Sequence, residues 1–204
     1  MAKKIIFEDK LPSKIRLVAG VDVAYTSKTS VATVVVLDYD SLELVEKQTT
    51  LTEIVFPYVP TLLSFREMKP AVTSIRKLKI CPDLFLVDAH GFAHPYHCGF
   101  ASHLGLVLNK PTIGVAKRKL VGQVKEGMSH PDSKLIEYRG EIIGAEVHTK
   151  TGCKPVYVSV GNMVTLKTSI NIVKRCARNS RIPEPIRAAH HIATNEREKI
   201  ISHQ

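Results

Sequence analysis

No stretch of this sequence approaches the ~20 consecutive apolar residues that a membrane span needs, so a soluble protein is expected. The opening residues, Met1 to Asp9, are basic but include acids and no long apolar run, unlike a signal peptide. There is no C-x-x-C pair. Cys81, Cys98, Cys153 and Cys176 stand far apart, as reduced thiols of an intracellular, cytoplasmic protein would. Tryptophan is absent too, which excludes nothing. Without internal repeats, low-complexity tracts or an obvious linker, residues 1–204 are expected to form a single domain around one core.

What the chain has in excess is positive charge. Lys and Arg total 29 against 19 acids, a formal net charge of +10 and a pI near 9.5. Such an excess attracts polyanions, of which nucleic acid is the commonest, although a basic surface without a partner fits equally well. The basic residues are spread along the chain, with short runs at Lys117-Arg118-Lys119 and Lys174-Arg175, which suggests a folded basic face rather than a tail.

Leu17–Tyr25 and Val31–Tyr39 are short, Val-rich and apolar, and Glu43–Ile54 alternates apolar with polar residues. These predict three strands in an antiparallel meander. Ala71, Val72, Ile75 and Leu78 then recur at helical spacing. A fully apolar strand follows at Leu84–Val87, a helix over about Gly99–Leu108 and another apolar strand at Thr112–Ala116. That alternation predicts parallel strands covered on both faces. Ala145–His148 and Val156–Val160 suggest later strands or a hairpin, and helices are expected near 164–177 and 185–201. This order is that of an α/β, ribonuclease H-like fold: one mixed sheet, an antiparallel three-strand meander then parallel strands, and helices on both faces. Other α+β folds share the meander.

Three carboxylates stand where structure alone would not put them. Asp22 interrupts the apolar Val21-Asp22-Val23, where a buried carboxylate needs a cation or donors. Asp88 ends the strand Leu84–Val87, at the carboxyl end that faces the crevice of an α/β sheet. Glu67 lies at the start of the first helical region. Read singly, Asp22 is a backbone-bonded strand residue, Asp88 a cap and Glu67 a solvent partner of Arg66. Together, on adjacent strands and a neighbouring helix, they would converge on Mg²⁺ or Mn²⁺ and hydrolyse a phosphodiester.

The loop from Asp88 to Gly99 holds His90, His94 and His97, with His103 just beyond. Three explanations stay open. His90, His94, His97 and Cys98 could bind zinc, although adjacent His97 and Cys98 chelate awkwardly. One histidine could act as an acid–base or phosphate donor beside the carboxylates. Or the histidines are ordinary loop residues. Gly91 and Gly99 would let backbone approach a ligand. Pro57-Tyr58-Val59-Pro60 is a stiff aromatic projection that suits a wedge between bases, or a rigid turn packing Tyr58 on the core. Lys117, just after the strand Thr112–Ala116, could meet the scissile phosphate or simply end the strand in solvent.

Val21-Asp22-Val23, Pro57-Tyr58-Val59-Pro60, Phe65-Arg66-Glu67, Val87-Asp88-Ala89-His90-Gly91, Ala93-His94-Pro95 and Pro111-Thr112-Ile113-Gly114-Val115-Ala116-Lys117 resemble the motifs of the endonuclease V family, in the family's order. Ala101-Ser102-His103-Leu104-Gly105 and Ile182-Pro183-Glu184-Pro185-Ile186-Arg187 also match, so the resemblance spans about Leu17 to His191.

The resemblance implies Asp22, Glu67 and Asp88 as metal-binding catalytic acids with His190 as a further metal ligand. It implies His94 and Lys117 at the phosphate, and Tyr58 as a wedge. A base pocket would then lie around Leu63, Ala89, Gly91, Gly99 and Phe100. The implied reaction is Mg²⁺-dependent hydrolysis, with Mn²⁺ able to substitute, of the second phosphodiester bond 3′ to deoxyinosine. It leaves 3′-hydroxyl and 5′-phosphate ends, on DNA and by extension on inosine in RNA, with the protein acting as a monomer. Ala89 and Thr61, at the presumed pocket, stand where the family commonly has glycine, so a strict inosine preference is expected; Tyr96 stands where it has a basic residue, which weakens the expected phosphate contact. A non-cleaving inosine-binding protein and a zinc-dependent phosphoesterase are the competing classes.

Overall fold

The computed structural model describes residues 1–125, 132–178 and 180–202. Its centre is a nine-stranded mixed sheet. β1 (Leu17–Tyr25), β2 (Thr29–Asp38) and β3 (Leu44–Glu53) form the expected antiparallel meander. β4 (Leu84–Val87) then pairs parallel with β1, and β5 (Thr112–Ala116) parallel with β4. Beyond β5 the sheet reverts to antiparallel pairing with β9 (Val156–Asn162), β8 (Glu141–Val147), β7 (Ser133–Tyr138) and β6 (Gln123–Val124), giving the order β3-β2-β1-β4-β5-β9-β8-β7-β6.

Helices α1 (Leu63–Ile75) and α2 (Phe100–Leu108) cover one face, and α3 (Leu166–Ala177) and α4 (Glu184–Ser202) the other. The period-2 alternation of strand side chains decides the two cores. Ala19 and Val21 of β1, with Phe85 and Val87 of β4, pack under α1 and α2 against Ala71, Ile75 and Leu104. Val18, Leu84 and Leu86 point the other way, toward Ile172, Ile186 and Ala189. Burying each such aliphatic side chain favours the fold by roughly 1.5–3 kcal/mol. The even-numbered face of β1, which carries Asp22, is therefore the face on which α4 lies.

The expected strands at Leu17–Tyr25, Leu84–Val87 and Thr112–Ala116 are observed with those bounds, and the segments near Ala145 and Val156 pair as a hairpin, Ala145 opposite Val158. Two details differ. α1 stops at Ile75, so Leu78 packs against the core from beyond the helix. β6 and β7 were not expected. β7 turns into β8 through Arg139 and Gly140, both at positive φ (54° and 81°), a backbone that matches the twist of a two-residue hairpin. Among the described residues no helix is long and apolar enough to cross a membrane.

Candidate active site

Three neighbouring parallel strands and one helix meet at the carboxyl ends of β1, β4 and β5. Val21 is in register with Val87, and the Asp88 N–H donates to the Val21 carbonyl at 3.1 Å. Asp22 and Asp88 thus leave adjacent strands, ~4.8 Å apart, on the same face. Both side chains are nearly enclosed, with 12% and 11% of their surface exposed. β5 continues into Lys117, whose Nζ donates to Asp88 Oδ2 at 2.5 Å.

The fourth contributor arrives from far along the chain. α4 lies on β1 so closely that a Cβ at Gly20 would run into the Pro185 backbone. From Pro185 to His190 the helix advances ~7.5 Å, and from Gly20 to Asp22 the strand advances ~6.6 Å, so helix and strand stay in step. Farther on, Ala24 packs with Ala193. His190 consequently stands over Asp22 and donates its Nδ1 proton to Oδ2 at 2.8 Å.

One ligand atom each from Asp22, Asp88 and His190 lie within 4.8 Å of one another, the one such group able to hold a metal ion among the described residues. Two carboxylates and an imidazole suit a divalent cation that accepts oxygen donors. The electrostatics point the same way. Burial, then the neighbouring Asp22 charge, raises the Asp88 carboxyl, and Lys117 opposes the shift. The hydrogen bond to Asp22 raises His190. Lys117 neutralises a carboxylate that a metal ion could neutralise instead.

Glu67, on the second turn of α1, is buried and lies in the field of both aspartates without joining the close group of three. Burial drives its carboxyl up to about 8, with smaller raises from Asp22 and Asp88. A partner absent from the sequence reading, Tyr25 at the end of β1, donates its hydroxyl to Glu67 Oε1 at 2.9 Å. The Arg66 guanidinium lies 4.3 Å over the Tyr25 ring. Tyr25 carries no local sequence signal, because its partner is on another element.

Beside this cluster is a cavity of about 180 Å³. Tyr58, Leu63, Ala89, Gly99 and Phe100, all expected around a base pocket, line it. Gly91 does not line it. Gly91 is packed behind the wall, its N–H on Ser159 Oγ and the space of a Cβ taken by the Val160 backbone, so its lack of a side chain serves the fold rather than a ligand. Gly99 likewise has the backbone of His90 where a Cβ would be.

The cavity wall also includes Thr61, which the sequence reading set at the pocket, and His90, His94 and Leu120, which it did not place there. Tyr58 is 68% exposed and Leu120 44% exposed, so two largely exposed side chains from different loops contribute to the wall. Because Ala89 and His90 directly follow Asp88, cavity and carboxylates share one turn of backbone.

The histidine loop proves to be structural scaffolding in large part. His94 is buried, its Nε2 donating to the Thr61 carbonyl at 3.1 Å while Nδ1 accepts the Tyr96 N–H at 3.3 Å. A phosphate contact from this ring would require one of those bonds to be given up. Thr61 has φ of 70°, a left-handed conformation that a β-branched residue adopts at a cost and glycine adopts freely. His97 pairs with Glu141 at 3.2 Å. His90, His94, His97 and Cys98 form no metal-binding group, which removes the zinc reading. Tyr96 is largely exposed.

Comparison with known proteins agrees with this geometry. Residues 1–191 match the family model for endonuclease V. The endonuclease V of Thermofilum pendens is 47% identical over 195 residues, covering 95% of this chain and 83% of that protein. The crystal structure of endonuclease V from Streptomyces avermitilis superposes with a TM-score of 0.91 at 34% identity, covering 98% of this chain and 90% of that one. That of Ciona intestinalis endonuclease V, in complex with DNA containing an inosine followed by a ribo-adenosine, superposes with a TM-score of 0.87 at 33% identity, covering 98% and 94%.

Proposed function

This chain belongs to the endonuclease V family, and on that premise we propose that it is a DNA-repair endonuclease that hydrolyses the second phosphodiester bond 3′ to deoxyinosine. The products carry 3′-hydroxyl and 5′-phosphate ends. The observation that carries the reading is the shared turn: Asp88 belongs to the carboxylate cluster, while Ala89 and His90 line a cavity of base size. A base everted into the cavity therefore lies beside the cluster, and the phosphates that follow it run past Asp22, Asp88 and Lys117.

Asp22, Asp88 and His190, with Glu67 beside them, would hold Mg²⁺, or Mn²⁺ in its place, which supplies Lewis-acid activation at phosphorus. Lys117, which donates to Asp88 here, would contact a phosphate oxygen were a cation held at Asp88. His94 assists at the phosphate by holding, through the Thr61 carbonyl, the loop that carries Tyr58. Tyr58 fills the gap left by the everted base, as its exposure on the Pro57-Tyr58-Val59-Pro60 projection allows. The same pocket serves inosine in RNA, since a pocket built around the base need not exclude a 2′-hydroxyl. The Ciona intestinalis relative was crystallised with inosine DNA that includes a ribonucleotide.

The test compares the protein with Asp88→Asn on an end-labelled duplex carrying one deoxyinosine in Mg²⁺. A single nick 3′ of the lesion, lost in the variant while binding is kept, is the expected result. Binding without cleavage by both would show a non-cleaving inosine-binding protein. Neither binding nor cleavage would overturn the reading.

A further inference from the structure

Tyr25 ends β1 three residues beyond Asp22, and the alternation of strand side chains sends the two to opposite faces. Asp22 turns to the face that α4 covers. Tyr25 shares the face of Ala19 and Val21, which α1 covers, and there its hydroxyl donates to Glu67 Oε1 at 2.9 Å. Glu67 is only 7% exposed, and Tyr25 is the one hydrogen-bond partner of its carboxylate among the described residues. The donor is itself held in place. The Arg66 guanidinium lies 4.3 Å from the centre of the Tyr25 ring, and Arg66 Nη1 donates to the Phe56 carbonyl at 3.4 Å. Consecutive residues of α1 thus supply the acid and the clamp on the acid's donor.

The donors on the two acids differ in kind. Lys117 brings a positive charge to Asp88, and a cation bound there would repel it. A phenol is a neutral donor, so it can keep its bond to one carboxylate oxygen while the other oxygen faces a cation. Without that bond, the long Glu67 side chain would have to be ordered again each time a cation bound. Outer partners of this kind orient metal ligands and raise metal affinity.

We propose that Tyr25 is a positioning residue for the metal site: its hydroxyl occupies Glu67 Oε1, fixes the side chain beside Asp22 and Asp88, and leaves Oε2 to serve the cation. The inference rests on the reading of Asp22, Asp88, His190 and Glu67 as a divalent-cation site.

Mn²⁺ binding to the metal-free protein, read from the electron paramagnetic resonance of free Mn²⁺, tests this without any cleavage. Tyr25→Phe keeps the ring under Arg66 and removes only the hydroxyl, and urea unfolding in EDTA confirms that each variant is folded. Mn²⁺ affinity should fall roughly 10-fold in Tyr25→Phe. In Glu67→Ala, where the hydroxyl has no ligand left to hold, adding Tyr25→Phe should cost less than about 2-fold more. Half-maximal cleavage by Tyr25→Phe should need correspondingly more Mg²⁺, while the rate at saturating Mg²⁺ changes less.

Unchanged Mn²⁺ affinity in Tyr25→Phe, or the same loss with and without Glu67, would overturn the role of Tyr25 while leaving the metal site standing. No Mn²⁺ binding by the unaltered protein, or binding undiminished by Asp88→Asn, would overturn the metal reading itself.

Discussion

His190, on the last helix, donates to Asp22 Oδ2 at 2.8 Å across 168 residues of sequence. A helix laid on the first strand thus completes a site begun by that strand. If His190 is a ligand, His190→Ala should raise the Mg²⁺ concentration for half-maximal cleavage by at least ~10-fold, and His190→Asp should recover much of it. An unchanged Mg²⁺ dependence would make His190 a structural partner of Asp22 only.

Gly20 sets that contact from beneath. Gly20→Ala puts a methyl group into the Pro185 backbone, so α4 must lift away from β1. A loss of about 1–3 kcal/mol in urea unfolding is expected, with a fall in activity larger than the stability loss explains. Wild-type activity in a stably folded Gly20→Ala protein would show that the α4 position is not critical.

Glu67 should couple stability to pH in the metal-free protein. Its folded value of about 8 lies above the ordinary 4.5, so the stability it contributes is present below 4.5 and lost as pH rises through about 8. Asp88 and His190, both raised, act in the same direction, while His90 and His94, both lowered, act oppositely at acid pH. The difference between wild type and Glu67→Gln isolates one group. In EDTA the variant should gain stability relative to wild type as pH rises from about 5 to about 9. A constant difference would mean Glu67 ionises normally in the fold.

Thr61 holds a φ of 70° while its carbonyl accepts from His94. For an L-residue the left-handed region costs roughly 1–2 kcal/mol, and glycine gives back part of that by loosening the unfolded chain. Thr61→Gly should therefore raise the melting temperature by up to ~4 °C. A clear fall would mean that contacts of the threonine side chain outweigh the strain.

Much of this site could be read from residue order. β4 and β5 are unbroken apolar runs between polar turns, which makes Asp88 and Lys117 just past their ends conspicuous, and Asp22 stands out inside the otherwise apolar β1. Of the expected pocket residues, Ala89 directly follows Asp88 at such an end. What escaped were contacts between distant elements: Tyr25 with Glu67, Leu120 in the same cavity wall as Tyr58, and the packing of Gly91 against β9. β7 escaped because Ser133–Tyr138 is short, half-exposed and joined to β8 by a tight turn at Arg139 and Gly140. The roles of His94 and His97 depend on partners, Thr61 and Glu141, that spacing does not reveal.

The decisive measurement is cleavage of end-labelled duplexes carrying deoxyinosine, uracil, an abasic site or normal adenine at one position, with the products sized to the nucleotide. The Ala89 methyl group stands on the cavity wall. We expect one Mg²⁺-dependent nick at the second phosphodiester bond 3′ to deoxyinosine, and at most about one-tenth of that rate on the other three. Comparable cutting of uracil or abasic sites would contradict the assigned pocket, and cutting unrelated to the lesion would contradict the coupling of cavity and carboxylates.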